Sequence, residues 1–521
     1  MNVLGIDLGT TYSCVAKCDS SGFAEIIEVQ TSKKQKKPTI PSVVSFLDNG
    51  IPFVGQAAKN NLLLFAEKTI DSVKREMNNQ YCQKELKIDG RFRKVSPIEP
   101  SACILRHMFY QANKELVDTF HEQETPKAVV TIPAAFNDNQ REKTKTAAEL
   151  AGIELLALLQ EPTAAAIAYD IKPEETILVF DLGGGTLDVS VVKYEKQNGN
   201  KYSVLGTPAG DDHLGGKDWD EALVYRALKK IGKNPDEIDK HGRHWATLMN
   251  EAENRKIDLT DNLSTDFTIN LPDIVKSVKI SRSEFETVTA NLVQRAVHVV
   301  EKAIKNTNNA QIDRFVLVGG SSRMPMIIKT LEREFVNKLS NHRLLKDWIS
   351  LSDPDYAIAK GAAKYANLIL NKKSGSINVE DKTTRSYGFR AMRGSEHVVL
   401  NLIYADDPCE VSGRDVILTT RRDNQDKMDI VLIENESLDD EIPFDKSNPL
   451  YYRSFVLPSH LSKGAEVFFS VQRDKDGIIH VDAECQGKSI SFPAKDIAED
   501  YIIEQIKNTI SKMKTAEKNN Y

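Results

Sequence analysis

The stretch ILVFDLGGGTLDVSVV, residues 177–192, constrains the possible architecture of this chain more than any other. An apolar run meets Asp181, three glycines and a threonine follow, and after Asp188 the apolar run resumes. Read as folding alone, it is two buried strands joined by a tight turn. Gly183, Gly184 and Gly185 would supply positive φ, and Asp181 would bond its own turn. That reading accounts for the glycines but not for a carboxylate placed after four apolar residues, where desolvation is costly unless a partner offsets it. A bound cation is one such partner. The same plan opens the chain: VLGIDLGTTYSCVAK, 3–17, has an apolar strand, Asp7-Leu8-Gly9, a small-residue turn with threonine and a second strand. Two similar lobes, each beginning with the same hairpin, are expected.

Length and composition set the frame for that pair. At about 150 residues per domain, 521 residues allow three or four domain-sized units. The balance of 69 basic and 75 acidic residues gives −6, which points to neither nucleic acid nor an anionic membrane surface. The basic run Lys33, Lys34, Lys36, Lys37 is short, ends at Pro38 and reads as a solvated loop. The six cysteines are scattered. Cys14 and Cys18 lack a nearby second pair or histidine, so reduced, packed thiols of a cytoplasmic protein are expected rather than a zinc site. No window approaches the apolar length of a membrane span, and the amino end lacks the layout of a secretion signal.

Residues 1–370 alternate apolar strands (VLGID, AVVTIP, ILVFD, RFVLVGG) with helical stretches such as Asp138 to Ala151 and Arg282 to Thr307, the pattern of an α/β domain. Residues 371–388 are polar and read as a linker. Residues 389–493 carry short strand-like runs (HVVLNLIY, DIVLIE, EVFFSVQ, IIHVDAE) spaced as in a small antiparallel β-sandwich. In 494–521, Ile502, Ile506, Ile510 and Met513 recur at helical spacing and predict one amphipathic helix.

Glycine- and threonine-rich hairpins facing one another across a cleft would offer backbone N–H groups to phosphate oxygens. Asp7 and Asp181, each at a strand end, would lie beside the same phosphates. Magnesium favours water, one or two carboxylates and phosphate oxygens, so a magnesium–nucleotide complex suits the set. A third turn, VLVGGSSRMP at 316–325, follows a strand; Gly319 and Gly320 would admit a flat group and Arg323 could stack on a base, although alone it is an ordinary strand-to-helix turn. Neither GxxxxGK[ST] nor a strand-then-helix GxGxxG occurs, which disfavours P-loop and dinucleotide chemistry. Lys74 and Arg75 read locally as a solvated helix start, and Glu161 as compensation of a helix dipole behind Pro162.

GIDLGTTYS, VVTIPAAFNDNQR, QEPTAAAIAYD, VFDLGGGTLDVSV, GDDHLGGKDWD and VLVGGSSRMP, in this order, resemble the heat-shock 70 chaperone family in its bacterial, DnaK-like branch. The resemblance is strong over 1–370 and weaker over 385–493. It implies an actin-like ATPase fold, two lobes with a duplicated ribonuclease-H-like core around a nucleotide cleft, followed by a peptide-binding β-sandwich. It also implies ATP and Mg2+ as cofactors. Asp7, Asp181 and Asp188 match the family's magnesium-water and catalytic carboxylates. Gly9, Thr10, Thr11 and Tyr12 match the first phosphate loop, and Gly183, Gly184, Gly185 and Thr186 the second. Lys74 matches the lysine that positions the terminal phosphate and attacking water, and Glu161 the glutamate that helps hold that water and the metal. Glu253, Lys256 and Thr260 match the adenosine pocket, closed by Gly319, Gly320, Ser321, Arg323 and Asp355. Ile257 stands where some relatives carry arginine. Pro133 and Arg141 match a relay between nucleotide state and the second domain.

The implied activity is magnesium-dependent ATP hydrolysis coupled to binding of unfolded polypeptides, by a cytoplasmic monomer served by a J-domain co-chaperone and a nucleotide-exchange factor. Two departures are expected to matter. SINVED offers only Ile377 and Val379 where the family's linker carries a leucine run, so less apolar surface is available for coupling. The tail after the sandwich also has room for one helix only, a truncated lid. The competing reading is a divergent ATP-binding relative that acts as a protein-binding or co-chaperone module without a refolding cycle. A metabolic kinase on the same fold is the remaining alternative.

Overall fold

In the computed structural model, the described residues are all except 1–2, 33–34, 121–124, 197–199, 241, 336–348, 351–352, 372–376, 381–382, 384, 406, 409, 445–447, 475–477, 494–499 and 520–521. The chain divides into two compact units. The first comprises 1–134, 143–379 and 501–521; the second comprises 135–142 and 380–500.

Two six-stranded sheets organise the first unit, and they share a pairing plan. In the first sheet, Val3–Asp7 pairs antiparallel with Tyr12–Cys18 and parallel with Ala128–Ile132, which pairs parallel with Leu155–Gln160. In the second, Thr176–Leu182 pairs antiparallel with Leu187–Glu195 and parallel with Arg314–Val318, which pairs parallel with Ile349–Ser350. The central strands are buried and β-branched-rich, as strands covered on both faces should be. The hairpin repeat visible in the sequence is therefore a repeat of sheet topology. Part of the segment read as a linker, Ile377–Glu380, is a strand beside Asn200–Asp211 at the edge of the second sheet.

Helices Glu161–Ala168 and Ala357–Leu370 join the strands of both sheets in one core with Val3, Ala16, Val129, Ile177, Val179 and Val316. Their approach is backbone to backbone. A Cβ on Gly361 would lie 1.8 Å from the Ala164 carbonyl oxygen, and one on Gly5 would lie 2.1 Å from the Ala363 nitrogen. A second core fills the other face of the second sheet, around Phe180, Trp219, Phe267, Phe285 and Phe315.

The helix expected at Asp138 to Ala151 is present as Asp138–Ala151, whereas the one expected from Arg282 to Thr307 is two, Arg282–Val288 and Ala290–Asn306. The break is at Thr289, which is fully buried and directs its hydroxyl back to the Phe285 carbonyl at 2.8 Å. The terminal helix Asp500–Asn519 buries Ile502, Ile506, Ile510 and Met513, as its spacing predicts. It packs within the first unit, on helix Ile98–Phe120: Thr509 donates to Glu99 at 2.6 Å, and Arg106 pairs with Glu517 at 2.6 Å.

In the second unit, two five-stranded antiparallel sheets share a core. Phe389 of one faces Phe469 of the other at 5.4 Å between rings, and Tyr451 faces Phe492 at 5.5 Å. The described cysteines 14, 18, 82, 103 and 485 are buried free thiols; Cys409 lies outside the described residues.

The close helix approach generates a stability prediction. Gly361→Ala should destabilise the first unit by about 1–3 kcal/mol through overpacking. The urea midpoint reports it by tryptophan fluorescence, since all three tryptophans fall in the first unit's sequence. An unchanged midpoint would contradict the contact.

Candidate functional site

A cleft of about 760 Å³ runs through the first unit. Its floor is made by the two hairpin turns. Asp7 ends its strand opposite Cys14, and Asp181 stands opposite Asp188 in the equivalent register. Two carboxylates directly opposite on paired strands would repel, which contributes to the raised pKa of Asp181.

The glycines of the second turn are there for a different reason from the one the turn alone suggests. None of Gly183, Gly184 and Gly185 has positive φ. What they supply is room: a Cβ on Gly184 would lie 1.9 Å from Thr11 Oγ1, and one on Gly185 would lie 2.3 Å from Thr10 Cγ2. The two turns are in contact, and only a bare backbone fits between them. Thr11 Oγ1 is buried there without a hydrogen-bond partner. Gly183 and Gly184 are also carbonyl acceptors for Gly216 N at 3.0 Å and Lys217 N at 2.9 Å, which fixes the turn to the start of helix Gly216–Lys230.

Lys74 and Glu161 depart from their local reading. Lys74 is buried in the short turn Val73–Glu76, and its ammonium donates to Glu161 Oε1 at 2.5 Å. Glu161, the first residue of its helix, is 4% exposed and forms this pair instead of facing solvent at a helix end. Burial works against the Lys74 charge, but Glu161 and Asp7 outweigh it and hold the amine above its ordinary range. Around this one ammonium, burial followed by Glu161 pushes Asp7 up to about 7, opposed by Lys74 and by the Thr131 hydroxyl 3.4 Å away. Burial and Glu161 push Asp188 up to about 7 as well. Asp181 is driven well above the carboxylate range by burial, then by Glu161, Asp188 and Asp7. The site is short of positive charge. Among the described residues, no group of three or more His, Cys, Asp or Glu converges as a direct metal-ligand set.

Further along the cleft, Tyr12 donates to Glu253 Oε1 at 2.9 Å, and Lys59 pairs with Glu253 and donates to the Tyr12 hydroxyl at 3.1 Å. Lys256 pairs with buried Asp220 at 2.8 Å and donates to the Gly216 carbonyl at 2.9 Å. Gly319 does adopt positive φ, 78°, and sits where a Cβ would meet the Leu182 carbonyl at 2.4 Å. Arg323, in the single turn Gly320–Arg323, pairs with Asp355 at 2.7 Å.

All residues expected to face a nucleotide line this cleft except Gly185, packed behind Thr10, and Asp188, buried beside Thr186. Pro133 and Arg141 do not line it; Pro133 is buried after its strand, and Arg141 is buried with Nε donating to the Phe136 carbonyl at 3.4 Å. Sequence reasoning gave no role to Lys59, Asp71, Lys217, Asp218 or Asp220, and read Arg75 as solvated. Arg75 Nε in fact donates to the Gly185 carbonyl at 2.8 Å, and Nη2 pairs with Asp218 at 3.0 Å. The quoted run GDDHLGGKDWD held three of these residues, without a local signal of what they touch.

The molecule is thus an α/β protein with an acid-lined cleft between two like hairpins and an antiparallel β unit after it. A family model described as Hsp70 protein matches residues 3–521. Proteins named Chaperone protein DnaK from Thermotoga petrophila, Thermotoga sp. strain RQ2 and Thermotoga maritima are each 33% identical over 508 residues, covering 93% of this chain and 78% of the relative. The chain belongs to the Hsp70 family of chaperones. No described helix is long and apolar enough to cross a membrane.

The acidic cluster carries a pH signature. A carboxyl whose folded-state pKa is raised binds more protons folded than unfolded, so it withdraws stability as pH rises from its ordinary 3.8 to about 7. In nucleotide-free protein, Asp188→Asn should therefore gain stability on wild type as pH climbs through that window and keep a constant advantage above it. Urea midpoints across the pH range check this; a difference that is flat or shrinks with pH would contradict it.

Proposed function

We propose that the cleft binds ATP with Mg2+ and hydrolyses it, in an actin-like, two-lobed ATPase domain, and that hydrolysis is coupled to binding of unfolded polypeptide by the antiparallel unit. The observation that carries this reading is the meeting of a threonine turn and a glycine turn over the carboxyl groups of Asp7, Glu161, Asp181 and Asp188 with Lys74 among them. A phosphate chain fits the turns, because Thr11 Oγ1 is buried without a protein partner and backbone amides of a tight turn bind anions. A divalent cation fits the carboxylates, because it would offset the burial and the mutual repulsion that raise their pKa values.

Asp7, Asp181 and Asp188 would hold magnesium through water, and the ion would supply charge neutralisation at the phosphate oxygens. The rest of the work falls to the chain itself. Thr10, Thr11 and Gly183 to Thr186 would orient the phosphates. Lys74 would place its charge at the terminal phosphate, where charge develops, and Glu161 would hold both that ammonium and the attacking water by accepting hydrogen bonds. Burial of the group lowers the local dielectric and strengthens each of these interactions. Glu253, Lys256 and Thr260 would line the adenosine pocket, with Gly319, Gly320, Ser321, Arg323 and Asp355 closing it. Catalysis of this kind consists of positioning and electrostatics rather than covalent chemistry. Pro133 and Arg141 would relay nucleotide state, and J-domain and exchange-factor partners would act on the cycle.

Lys74→Ala should lower steady-state ATP turnover by about 100-fold or more, the scale of losing one charge-stabilising group, with Mg-ATP affinity largely kept. Turnover that stays normal while affinity collapses would contradict the assigned role. In the wild type, an unfolded peptide should change the turnover rate, because coupling between sites is reciprocal. A rate indifferent to every peptide would separate the ATPase from the chaperone part of the reading.

A further inference from the structure

The segment that carries Lys74 is pinned from across the cleft on both sides of that residue. Asp71 ends the strand Thr69–Asp71, Ser72 follows in the left-handed conformation (φ 56°), and Val73–Glu76 is a single turn. An ordinary serine does not choose that conformation unaided, so something must hold it. The Lys217 ammonium bonds both the Asp71 carboxylate and the Ser72 hydroxyl. On the other side of Lys74, Arg75 bonds the Gly185 carbonyl and pairs with Asp218 at 3.0 Å. Lys217 and Asp218 are consecutive residues in the first turn of helix Gly216–Lys230. Asp218 also accepts the Gly215 N–H at 2.7 Å, and the helix start is bonded to the glycine turn of the second sheet.

We propose that Lys217 and Asp218 form a two-point clamp on the segment 71–75 that sets the position of Lys74 and keeps the cleft closed over bound nucleotide. The inference rests on the nucleotide reading of this cleft. Lys217, Asp71, Asp218 and Arg75 are positioning residues: their side chains bond each other, Ser72 or the glycine turn, and they act on hydrolysis through where they leave the Lys74 ammonium. Lys74 lies within three residues of every clamped position, so releasing either end frees the short turn that carries it. Burial opposes the Asp71 charge, but Lys217 holds this carboxyl below its ordinary range, as a formed ion pair requires. The opening that lets nucleotide leave must break both pairs. Product release and Lys74 placement are thereby tied to one movement.

The test is a charge swap in the full chain. Lys217→Asp and Asp71→Lys each place like charges in contact. Each should lower the single-turnover rate of bound Mg-ATP about tenfold and speed dissociation of a fluorescent ADP analogue about tenfold. The double swap should restore both rates to within about threefold of wild type. Lys217→Gln, at a half-exposed position, tests the same pair without repulsion and should shift both rates the same way by a smaller factor. Rising salt should speed ADP dissociation in wild type more than in Lys217→Gln. Single variants that leave both rates within twofold, or a double swap no better than the worse single variant, would overturn the clamp. A wild type that binds no nucleotide would overturn the nucleotide reading and this inference together; one that binds and turns over normally while the swap fails to restore would overturn the clamp alone.

Discussion

Four carboxyl groups, Asp7, Glu161, Asp181 and Asp188, meet at one place in the first unit, Glu161 and Asp188 buried and Asp7 and Asp181 half-buried, with the Lys74 ammonium bonded to Glu161 in their midst. Taking charges out of water is expensive, and like charges in low dielectric repel strongly. Such a group survives folding only by holding protons or by acquiring positive charge. The raised pKa values of Asp7, Asp181 and Asp188 are the first solution, and the proposed magnesium nucleotide would be the second.

The surrounding fold reads as the device that keeps this group in place. Two sheets of the same plan present their first hairpins, and the small-residue helix Ala357–Leu370 brings backbone against backbone near their roots. The turns themselves touch through Thr10, Thr11, Gly184 and Gly185. The Gly5 and Gly361 contacts are backbone on backbone and cannot relax by changing rotamers, while the turns meet through the Thr10 and Thr11 side chains packed on glycine backbone. The mobile parts of the mechanism are assigned instead to side-chain pairs across the cleft, which are half-exposed and weaker individually.

Much of the fold was legible from periodicity. The central strands were readable as short continuous apolar runs bounded by turn residues, and the helix Asp138–Ala151 and the terminal amphipathic helix by their period of 3.6. The matching hairpins at Asp7 and Asp181 carry the duplicated pairing plan in the sequence itself. The break at Thr289 was not legible, since it depends on a buried hydroxyl that bonds its own helix. The packing of the terminal helix on Ile98–Phe120 was not legible either; its apolar stripe says that it docks, and its charged residues acquire meaning only beside Glu99 and Arg106. In the site, the turns and carboxylates stood out locally, but Lys74 and Glu161 looked like an ordinary helix start and an ordinary helix end. Arg75, Lys59 and Lys217 find their partners more than 100 residues away, at separations of 110 to Gly185, 194 to Glu253 and 146 to Asp71, and no local pattern encodes that. The positive φ expected of Gly183, Gly184 and Gly185 is absent, and the space they leave for Thr10 and Thr11 depends on a turn more than 170 residues away in sequence.

Protons held by the acidic group should be released when positive charge arrives, and their number can be counted. Calorimetric titration of the full chain with magnesium-saturated ATP, at about pH 6.5 in two buffers of different ionisation enthalpy, gives the number of protons exchanged on binding. Carboxyls titrating at about 7 in the free protein should lose their protons to the incoming positive charge, so a net release of roughly half a proton or more is expected. Binding with no proton exchange, or with uptake, would contradict the claim that this cluster is the site's electrostatic centre.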